Sequence, residues 1–180
     1  MTDILAGRPG ARRAGDRRRA EVRCRPADGP EYRAAHHRIR RAVFVVEQGV
    51  FAVSDRDERD DDPATLHVLG LVDGVPAGTV RLFPLPAGGG VAGSPTAGPA
   101  ADRWQGDRLA VLPEFRTSGL GAPLVRYAVA TAGALGGGLM IAHVQPANEV
   151  FFGRLGWTRR GGPETYVGRP HLLMDIDLRR

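Results

Sequence analysis

The sequence predicts an α/β (α+β) domain built on a mixed β-sheet, and two patterns carry this prediction. Two β-favouring apolar runs, residues 66–72 and 78–85, flank Asp73-Gly74, a dipeptide typical of β-hairpin turns. Further along, residues 106–145 have the pattern of a strand, a glycine-containing turn, a helix and a second strand. The chain has 180 residues, 42% of them hydrophobic, which is enough for one domain with its own core.

Apolar spacing and turn residues predict the individual elements in chain order. Ile39, Val43 and Val46 recur at helical spacing, and Gly156 is placed to end a short helix. Helices are predicted over residues 31–46, about 120–135 and about 148–155. Strands are predicted over residues 21–25, 66–72, 78–85, 106–112, 139–145, 157–160 and 171–178. The single cysteine, Cys24, excludes an internal disulfide framework and is interpreted as a core or edge residue of the first strand.

Charge is distributed unevenly along the chain. Residues 1–41 carry 12 arginines and 5 acidic residues, whereas residues 42–180 carry 13 arginines and 15 acidic residues. We therefore interpret residues 1–20 as a basic, flexible extension and residues 21–180 as the folded domain. The basic segment lacks interleaved aromatic residues, so binding to nucleic acid is not favoured. No apolar run is long enough to span a membrane or form a secretion signal, so a cytoplasmic location is expected.

Two segments are predicted to be loops. Residues 55–62 are dominated by acidic side chains, which predicts a solvated loop and leaves open a role in attracting a cationic amine. Residues 86–102 consist almost wholly of Gly, Ala and Pro, which predicts a long flexible loop. The chain has no lysine, and its abundant Gly, Ala and Arg are typical of a GC-rich bacterial genome.

The most informative segment is the turn between the strand over residues 106–112 and the following helix. Gly119 and Gly121 remove side chains where the backbone enters the helix, so unpaired N–H groups can face an anion. The helix dipole favours negative charge at the same place. A diphosphate-binding site is therefore physically plausible, although two glycines alone are equally consistent with a structural turn.

The sequence around this turn resembles the GNAT superfamily of acyl-CoA N-acyltransferases. Residues 116–122, Arg-Thr-Ser-Gly-Leu-Gly-Ala, are similar to the pyrophosphate loop of that family, and Leu109-Ala110-Val111 precede them as in its fourth strand. Residues 151–157, Phe-Phe-Gly-Arg-Leu-Gly-Trp, resemble the end of the family's last cofactor-side helix. Residues 41–48 and 166–171 resemble a bacterial subgroup, so the similarity covers about residues 30–178.

The resemblance implies the GNAT fold, a mixed sheet whose central strands splay apart around acetyl-CoA or another acyl-CoA, with no metal. The pantetheine arm would pair with the backbone of Leu109 and Val111, and the diphosphate would lie on the amides of residues 118–122. The implied cofactor-binding residues are Leu109, Ala110, Val111, Arg116, Thr117, Ser118, Gly119, Leu120, Gly121, Ala122, Asn148 and Phe152. The acyl acceptor would be a small-molecule or peptide amine, and a homodimer is suggested by analogy with the family.

Acyl transfer to an amine needs a base for the amine and a proton donor for the leaving thiolate. The candidate catalytic residues are Glu47, Asp107, His143, Tyr166 and His171. Glu47, Asp107, His143 and His171 are also explained by a structural role, such as a surface charge, an ion pair or a satisfied histidine. Phe152 stands where many family members have a tyrosine that protonates the thiolate, so Tyr166 or a water would have to supply that proton.

Two other functions are compatible with the sequence. Arg41-x-x-Phe44 followed by an acidic cluster resembles acyl-homoserine lactone synthases, which also use thioesters. A non-catalytic acyl-CoA-binding module is favoured by Phe152 and by the basic extension.

Overall fold

The computed structural model describes residues 20–86 and 102–179. The predicted N-terminal extension, residues 1–20, lies outside the described residues except for Ala20, and the predicted loop over residues 86–102 lies outside them except for its two end residues.

Seven strands form one mixed sheet in the order β1-β2-β3-β4-β5-β7-β6. Each neighbouring pair is antiparallel except β4 and β5, which are parallel. The strands are β1 (Val22–Pro26), β2 (Leu66–Val72), β3 (Val75–Pro84), β4 (Arg103–Val111), β5 (Leu139–Val144), β6 (Thr158–Tyr166) and β7 (Arg169–Asp177). The predicted mixed α/β (α+β) architecture is confirmed.

Helices cover both faces of the sheet. The first, α1 (Pro30–Arg40), continues as a wider π-helical turn over Arg41–Glu47, so the predicted helix over residues 31–46 is helical throughout. The helix α2 (Gly121–Ala134) follows β4, and α3 (Glu149–Arg154) follows β5. Short 3₁₀ turns precede or separate these elements at Glu58–Asp60, Pro113–Ser118 and Pro146–Asn148.

The C-terminal hairpin is longer than the sequence predicts. The expected strands over residues 157–160 and 171–178 are β6 and β7, nine residues each, joined by a turn in which Val167 and Gly168 have φ angles of 49° and 69°. Gly161, Gly162 and Pro163 interrupt the strand pattern in the sequence, and the structure accommodates them at a register shift between Arg160 and Pro163. The hairpin stacks Tyr166 on His143 of β5 and packs His171 against Tyr166.

Two apolar clusters lie on opposite faces of the sheet. Val68 belongs to the cluster under α2 and α3, and its neighbour Leu69 belongs to the cluster under α1. Successive side chains of a strand point to opposite faces, so these neighbours assign the two clusters to the two faces. The α2 side holds the larger core, which includes Leu124, Met140 and Trp157.

The acidic segment is not the solvated loop that its composition suggests. Asp55 and Asp60 are buried, with 3% and 6% of their surface exposed. Asp57 caps the short turn Glu58–Asp60, and its own N–H donates to the Asp60 carboxylate. Arginines from α1 and the sheet bind these carboxylates, which is why charged side chains remain in the interior.

Three histidines, His36, His37 and His67, pack together beside this segment on the α1 side. The ring centroids of His36 and His67 are 4.9 Å apart, and both rings are buried. Burial is the main reason why the pKa of His36 falls to about 2 and that of His67 to about 3. Both imidazoles are therefore neutral in the folded protein at neutral pH.

We expect the fold to lose stability as the pH falls below about 6.5, the ordinary histidine pKa. The unfolded chain then binds protons that the folded protein excludes, at a cost of about 1.4 kcal/mol per pH unit for each histidine until its folded pKa is reached. Urea unfolding at a series of pH values measures this slope. The His67 imidazole makes no hydrogen bond to the described residues, so His67→Leu should reduce the slope without loss of stability at neutral pH. An unchanged slope in the variant would contradict the assignment of this pH dependence to His67.

Candidate active-site cleft

The two central strands separate after a short contact. β4 and β5 pair only at Arg103–Leu139, Trp104–Met140 and Gln105–Ile141. Beyond Gln105 the backbone groups of β4 that face β5 have no partner on that strand, so the sheet opens into a cleft.

A bulge in β4 lies next to this opening. Thr79 of β3 is opposite Ala110, whereas Arg81 is opposite Asp107, so β4 contains one extra residue across from Val80. Arg108 within the bulge has a φ of 52°, unusual for a residue with a side chain. The Thr79 hydroxyl donates to the Arg108 carbonyl oxygen at 2.9 Å, which helps to hold this conformation.

The cleft passes between the strands from one face of the sheet to the other, and its two sides differ in polarity. On the α1 side the lining includes the polar residues Gln48, Asp107, Arg108, His143, Tyr166 and His171 together with the apolar residues Phe44 and Phe51. On the α2 side it is apolar and includes Val125, Ala128, Met140, Ala142, Phe152 and Trp157. Asn148, which is exposed at the start of α3, and Leu109 of β4 also line the cleft.

The loop between β4 and α2 can bind an anion. Gly119 has a φ of 81°, and no side chain caps α2 at its N-cap, Leu120. The first N–H groups of a helix lack partners within it, and the helix dipole favours negative charge there. A Cβ at Gly121 would lie 3.4 Å from the Phe151 ring, in ordinary van der Waals contact. The backbone of residues 118–122 therefore has a geometry that fits a diphosphate.

Glu47, at the end of the π-helical turn, and Arg116, in the loop between β4 and α2, form an ion pair. The Arg116 guanidinium lies 2.6 Å from the Glu47 carboxylate and also donates to the Val111 carbonyl oxygen. The hydrogen bond from Arg116 is the main reason why the pKa of Glu47 falls below its ordinary value. Glu47 is not among the cleft-lining residues of the described chain. Thr117 is exposed on the same loop.

Three of the candidate catalytic residues form an aromatic cluster within the cleft. The rings of His143 and Tyr166 stack with centroids 3.9 Å apart, and His171 packs edge-on against Tyr166 at 5.5 Å. His143 Nε2 lies 3.0 Å from Glu164 Oε1. The Tyr166 hydroxyl accepts a hydrogen bond from the Gln105 side chain at 3.3 Å, which leaves its own proton free to donate.

The protonation states of this cluster suit proton transfer. Burial lowers the pKa of His143 below its ordinary value although Glu164 acts to raise it, so the ring is neutral at neutral pH. Burial, followed by the charge of Asp107, raises the pKa of the Tyr166 phenol, which keeps it protonated. Glu164 beside Nε2 favours the tautomer with a proton there, so the lone pair lies on Nδ1. Nδ1 is buried and has no hydrogen-bond partner among the described residues.

Asp107 lines the cleft, but Arg81 engages its carboxylate. Arg81 is 1% exposed, and its Nε and Nη2 donate to the two Asp107 oxygens at 2.8 and 2.6 Å. The same guanidinium binds Asp57 at 2.5 and 2.9 Å and lies 3.1 Å from Asp60. A carboxylate held in this bidentate manner has few lone pairs left to accept a substrate proton.

Two further arginines complete the buried network. Arg40 of α1 is fully buried and binds Asp55 at 2.6 Å and Asp60. Arg108 binds Asp57 at 2.9 Å and the Asp55 backbone carbonyl at 3.0 Å. Because α1, the acidic segment and the β4 bulge share these contacts, the network fixes the polar wall of the cleft.

Hydrogen bonds also cross the mouth of the cleft. Arg169, at the start of β7, donates to the carbonyl oxygens of Gln48 and Gly49 at 3.0 and 3.1 Å. The Gln145 side chain donates to the Gln48 side chain at 3.1 Å. The C-terminal hairpin is thereby joined to the segment that follows α1.

Sequence reasoning did not find several residues that shape the site. The position of Glu164 depends on the length and pairing of β6, which the sequence pattern obscures. Gln105 of β4 contributes through its hydrogen bond to Tyr166, which lies at the end of the same strand β6. Arg81 does leave a signal, because an arginine within an apolar strand requires buried acidic partners. Phe152 is buried and contacts Phe151 and Trp157 edge-on, so no hydroxyl is available at that position.

The described residues contain neither a cluster that could hold a metal nor a helix that could span a membrane. Across residues 20–86 and 102–179, no group of His, Cys, Asp or Glu side chains is arranged to hold a metal ion. Within the same part of the chain, no helix combines the length and the apolar character needed to cross a membrane.

The central strands of this sheet splay apart, and beside the opening lies an uncapped helix N-terminus with glycines at its entry. This arrangement is typical of the class of acyl-CoA N-acyltransferases. A family model described as the acetyltransferase (GNAT) family matches residues 31–157, which is more than half of the chain. The chain belongs to the GNAT acetyltransferase family. This family uses acyl-CoA as cosubstrate and acts on amine acceptors, and the resemblance described from the sequence is confirmed.

Solved structures share the fold. A Lactobacillus plantarum protein named as an N-acetyltransferase is 23% identical with a TM-score of 0.69, covering 87% of this chain and 98% of that one. The CoA-dependent acyl-homoserine lactone synthase BjaI is 22% identical with a TM-score of 0.66, covering 89% and 84%. An acyl-CoA N-acyltransferase from Pseudomonas aeruginosa is 21% identical with a TM-score of 0.63, covering 87% and 98%. No curated protein sequence matches the chain.

The buried network should matter for stability. Arg81→Met leaves Asp57 and Asp107 without their main partner, and we expect a loss of about 3–5 kcal/mol in the free energy of unfolding. Arg56→Met is the matched control, because Arg56 and its partner Asp61 are exposed and their pair should contribute at most about 1 kcal/mol. Urea unfolding compares the two variants with the wild type. Equal effects of the two substitutions would contradict the structural role of Arg81.

Proposed function

We propose that this protein is an N-acyltransferase that moves an acyl group from acyl-CoA to an amine by direct attack. The observation that carries the proposal is the coincidence of two features at one cleft. The strands β4 and β5 separate beyond Gln105, and the anion-binding entry of α2 follows β4 directly. The polar side of the same cleft holds the neutral His143 and the protonated Tyr166.

The residues of the loop and of β4 would hold the cosubstrate. The amides of residues 118–122 would bind the diphosphate, and the open edge of β4 at Leu109 and Val111 would pair with the pantetheine arm. Ala110 would contribute only its backbone, because its side chain packs under α1. Asn148 at the rim would contact the arm from the other side of the cleft. Bound acyl-CoA supplies a thioester, whose C–S bond breaks as the amine nitrogen forms the new C–N bond.

His143 and Tyr166 would move the two protons. His143 Nδ1 takes the proton that the attacking amine loses, and Glu164 stabilises the resulting imidazolium through Nε2. Tyr166 donates its phenolic proton to the departing thiolate. Phe152 cannot do this, because it has no hydroxyl group. His171 packs against Tyr166 and would orient its ring. Glu47, which is paired with Arg116, has a weaker claim to act as base.

An activity like that of acyl-homoserine lactone synthases is a second candidate. The pattern Arg41-x-x-Phe44 followed by the acidic segment favours it, and in the structure Asp55, Asp57 and Asp60 of that segment are held by Arg40 and Arg81. BjaI, named with S-adenosylmethionine and isopentyl-CoA, shows that a protein of this fold can take its acyl group from CoA. Release of CoA that depends on S-adenosylmethionine, and not on other amines, would favour this candidate.

Cosubstrate binding tests the proposal first. Gly121→Glu adds a carboxylate at the start of α2, which suits the helix dipole but competes with a diphosphate, and should weaken CoA binding about tenfold or more. Calorimetric titration with CoA and acetyl-CoA measures the effect. Gly153→Glu is the matched control, since it adds the same charge at an exposed glycine of α3 with open space around it. A folded wild type that binds neither compound would overturn the proposal.

Catalysis tests the role of His143. His143→Gln should lower kcat by about 10²-fold or more, as expected for loss of a general base. In the wild type kcat/KM should increase with pH through a pKa below about 6.5, where His143 becomes neutral, and the variant should lack this limb. CoA release with an amine found by screening measures both. Binding of CoA without turnover of any amine would indicate the non-catalytic binding module instead.

A further inference from the structure

Two hairpin turns of the structure share one backbone geometry but differ in sequence. Asp73-Gly74 joins β2 to β3 and Val167-Gly168 joins β6 to β7, and in each turn the two flanking residues pair with one another. The φ angles are 49° and 82° in the first turn and 49° and 69° in the second. Both are therefore two-residue turns with positive φ at both positions, a type that favours Asn-Gly and Asp-Gly.

Val167 is the residue that departs from this preference. A left-handed backbone is unfavourable for a side chain that branches at Cβ, whereas glycine, asparagine and aspartate adopt it more readily. Val167 is 39% exposed, and it belongs to neither of the two apolar clusters in the described part of the chain. Core packing therefore does not account for a valine in this turn. A residue kept in an unfavourable conformation without such packing points to a role in binding.

The turn is fixed at the wall of the cleft. Arg169 donates to the carbonyl oxygens of Gln48 and Gly49 at 3.0 and 3.1 Å, which joins the turn to the segment that follows α1. Val167 lines the cleft, and so does Phe51 of that segment. The valine therefore lies at the cleft, one residue beyond the proposed proton donor.

The segment after α1 supplies apolar neighbours in the same cleft. Phe44, Val50 and Phe51 all line it. The backbone N–H groups of Val50 and Phe51 donate to the Phe44 carbonyl oxygen at 2.8 and 3.4 Å, so the three residues form one compact element. The Phe51 ring also lies 5.0 Å from the Arg108 guanidinium, which restrains its position. Together with Val167, these residues add apolar surface to the side from which the amine would approach.

The charged groups in the wall of the cleft are already paired. Among the described residues that line it, the charged ones are Asp107 and Arg108. Arg81 binds both oxygens of the Asp107 carboxylate, and Arg108 binds Asp57 and the Asp55 carbonyl oxygen. A charged substituent on the acceptor would lose its hydration without gaining a free counter-charge. An apolar substituent would instead cover the surface formed by the valines and phenylalanines.

We propose that Val167 is a specificity-determining residue, which together with Val50 and Phe51 binds an apolar substituent of the acceptor. The acceptor class is therefore an amine attached to an aliphatic or aromatic group that carries no second charge. This inference rests on the proposed function, because the amine must reach the thioester from the α1 side of the cleft. The valine costs stability in the free protein and contributes to binding of the acceptor.

Four primary amines of similar basicity test the acceptor class. 3-Methylbutylamine and 2-phenylethylamine carry apolar groups, whereas 1,4-diaminobutane carries a second ammonium group and glycine a carboxylate. CoA release from acetyl-CoA should give kcat/KM values at least about tenfold higher for the two apolar amines, since burial of about two methylene groups is sufficient for such a gain. Equal values for all four amines, or higher values for the charged pair, would overturn this inference and leave the proposed function intact. No turnover of any amine by a protein that binds acetyl-CoA would overturn both.

Substitution of Val167 separates a binding role from a structural one. Val167→Asn places a residue suited to the left-handed conformation in the turn, so the urea concentration at the unfolding midpoint should rise. The same change removes an apolar contact, so KM for 2-phenylethylamine should rise about threefold or more while kcat stays within about twofold. Val167→Leu keeps an apolar side chain and should retain a KM within about twofold of the wild-type value.

Val75→Asn is the matched control for this substitution. Val75 is also an exposed valine beside a hairpin turn, but it is not among the described residues that line the cleft. Its replacement should leave KM unchanged. A lower unfolding midpoint in Val167→Asn would show that the valine is structural, and an unchanged KM in that variant would show that it does not contact the acceptor. Either result would overturn the role assigned to Val167.

Discussion

The buried guanidinium group of Arg81 holds together the parts of the fold on which the cleft depends. It projects from β3 and binds carboxylates from the acidic segment and from β4. A buried arginine requires such partners, because an unpaired charge in the interior is strongly destabilising. Arg40 and Arg108 extend these contacts to α1 and to the bulge. The wall of the cleft therefore has one well-defined geometry, set by charges that cannot be separated without loss of stability.

The bulge in β4 lies close to the point where β4 separates from β5. Arg108 adopts its unusual backbone conformation while its side chain binds Asp55 and Asp57. Its carbonyl oxygen meanwhile accepts from Thr79. The energetic cost of the backbone conformation is offset by these contacts, a common arrangement at functional sites. The open edge of β4 and the entry of α2 then face one cleft, where the family to which the chain belongs would bind its cosubstrate.

The departure at Phe152 has consequences on both sides of the sheet. On the polar side, the proposed mechanism needs another proton donor for the thiolate, and Tyr166 is the phenol that the C-terminal hairpin brings to the cleft. On the apolar side, the phenylalanine ring extends the surface formed with Trp157 and α2.

Local sequence patterns determined most of the elements and the cosubstrate loop. Some patterns affect only the residues next to them in the chain, so their effects can be predicted before the fold is known. They are the Asp73-Gly74 turn, the helical spacing over residues 31–46 and the glycines at positions 119 and 121. The placement of His143, Tyr166 and His171 in one cluster was decided by strand pairing, which brings together residues far apart in the chain. The acidic segment shows the limit most clearly. Its composition indicates a solvated loop, yet Asp55 and Asp60 are buried because arginines from distant elements pair with them, and only the tertiary structure supplies those partners.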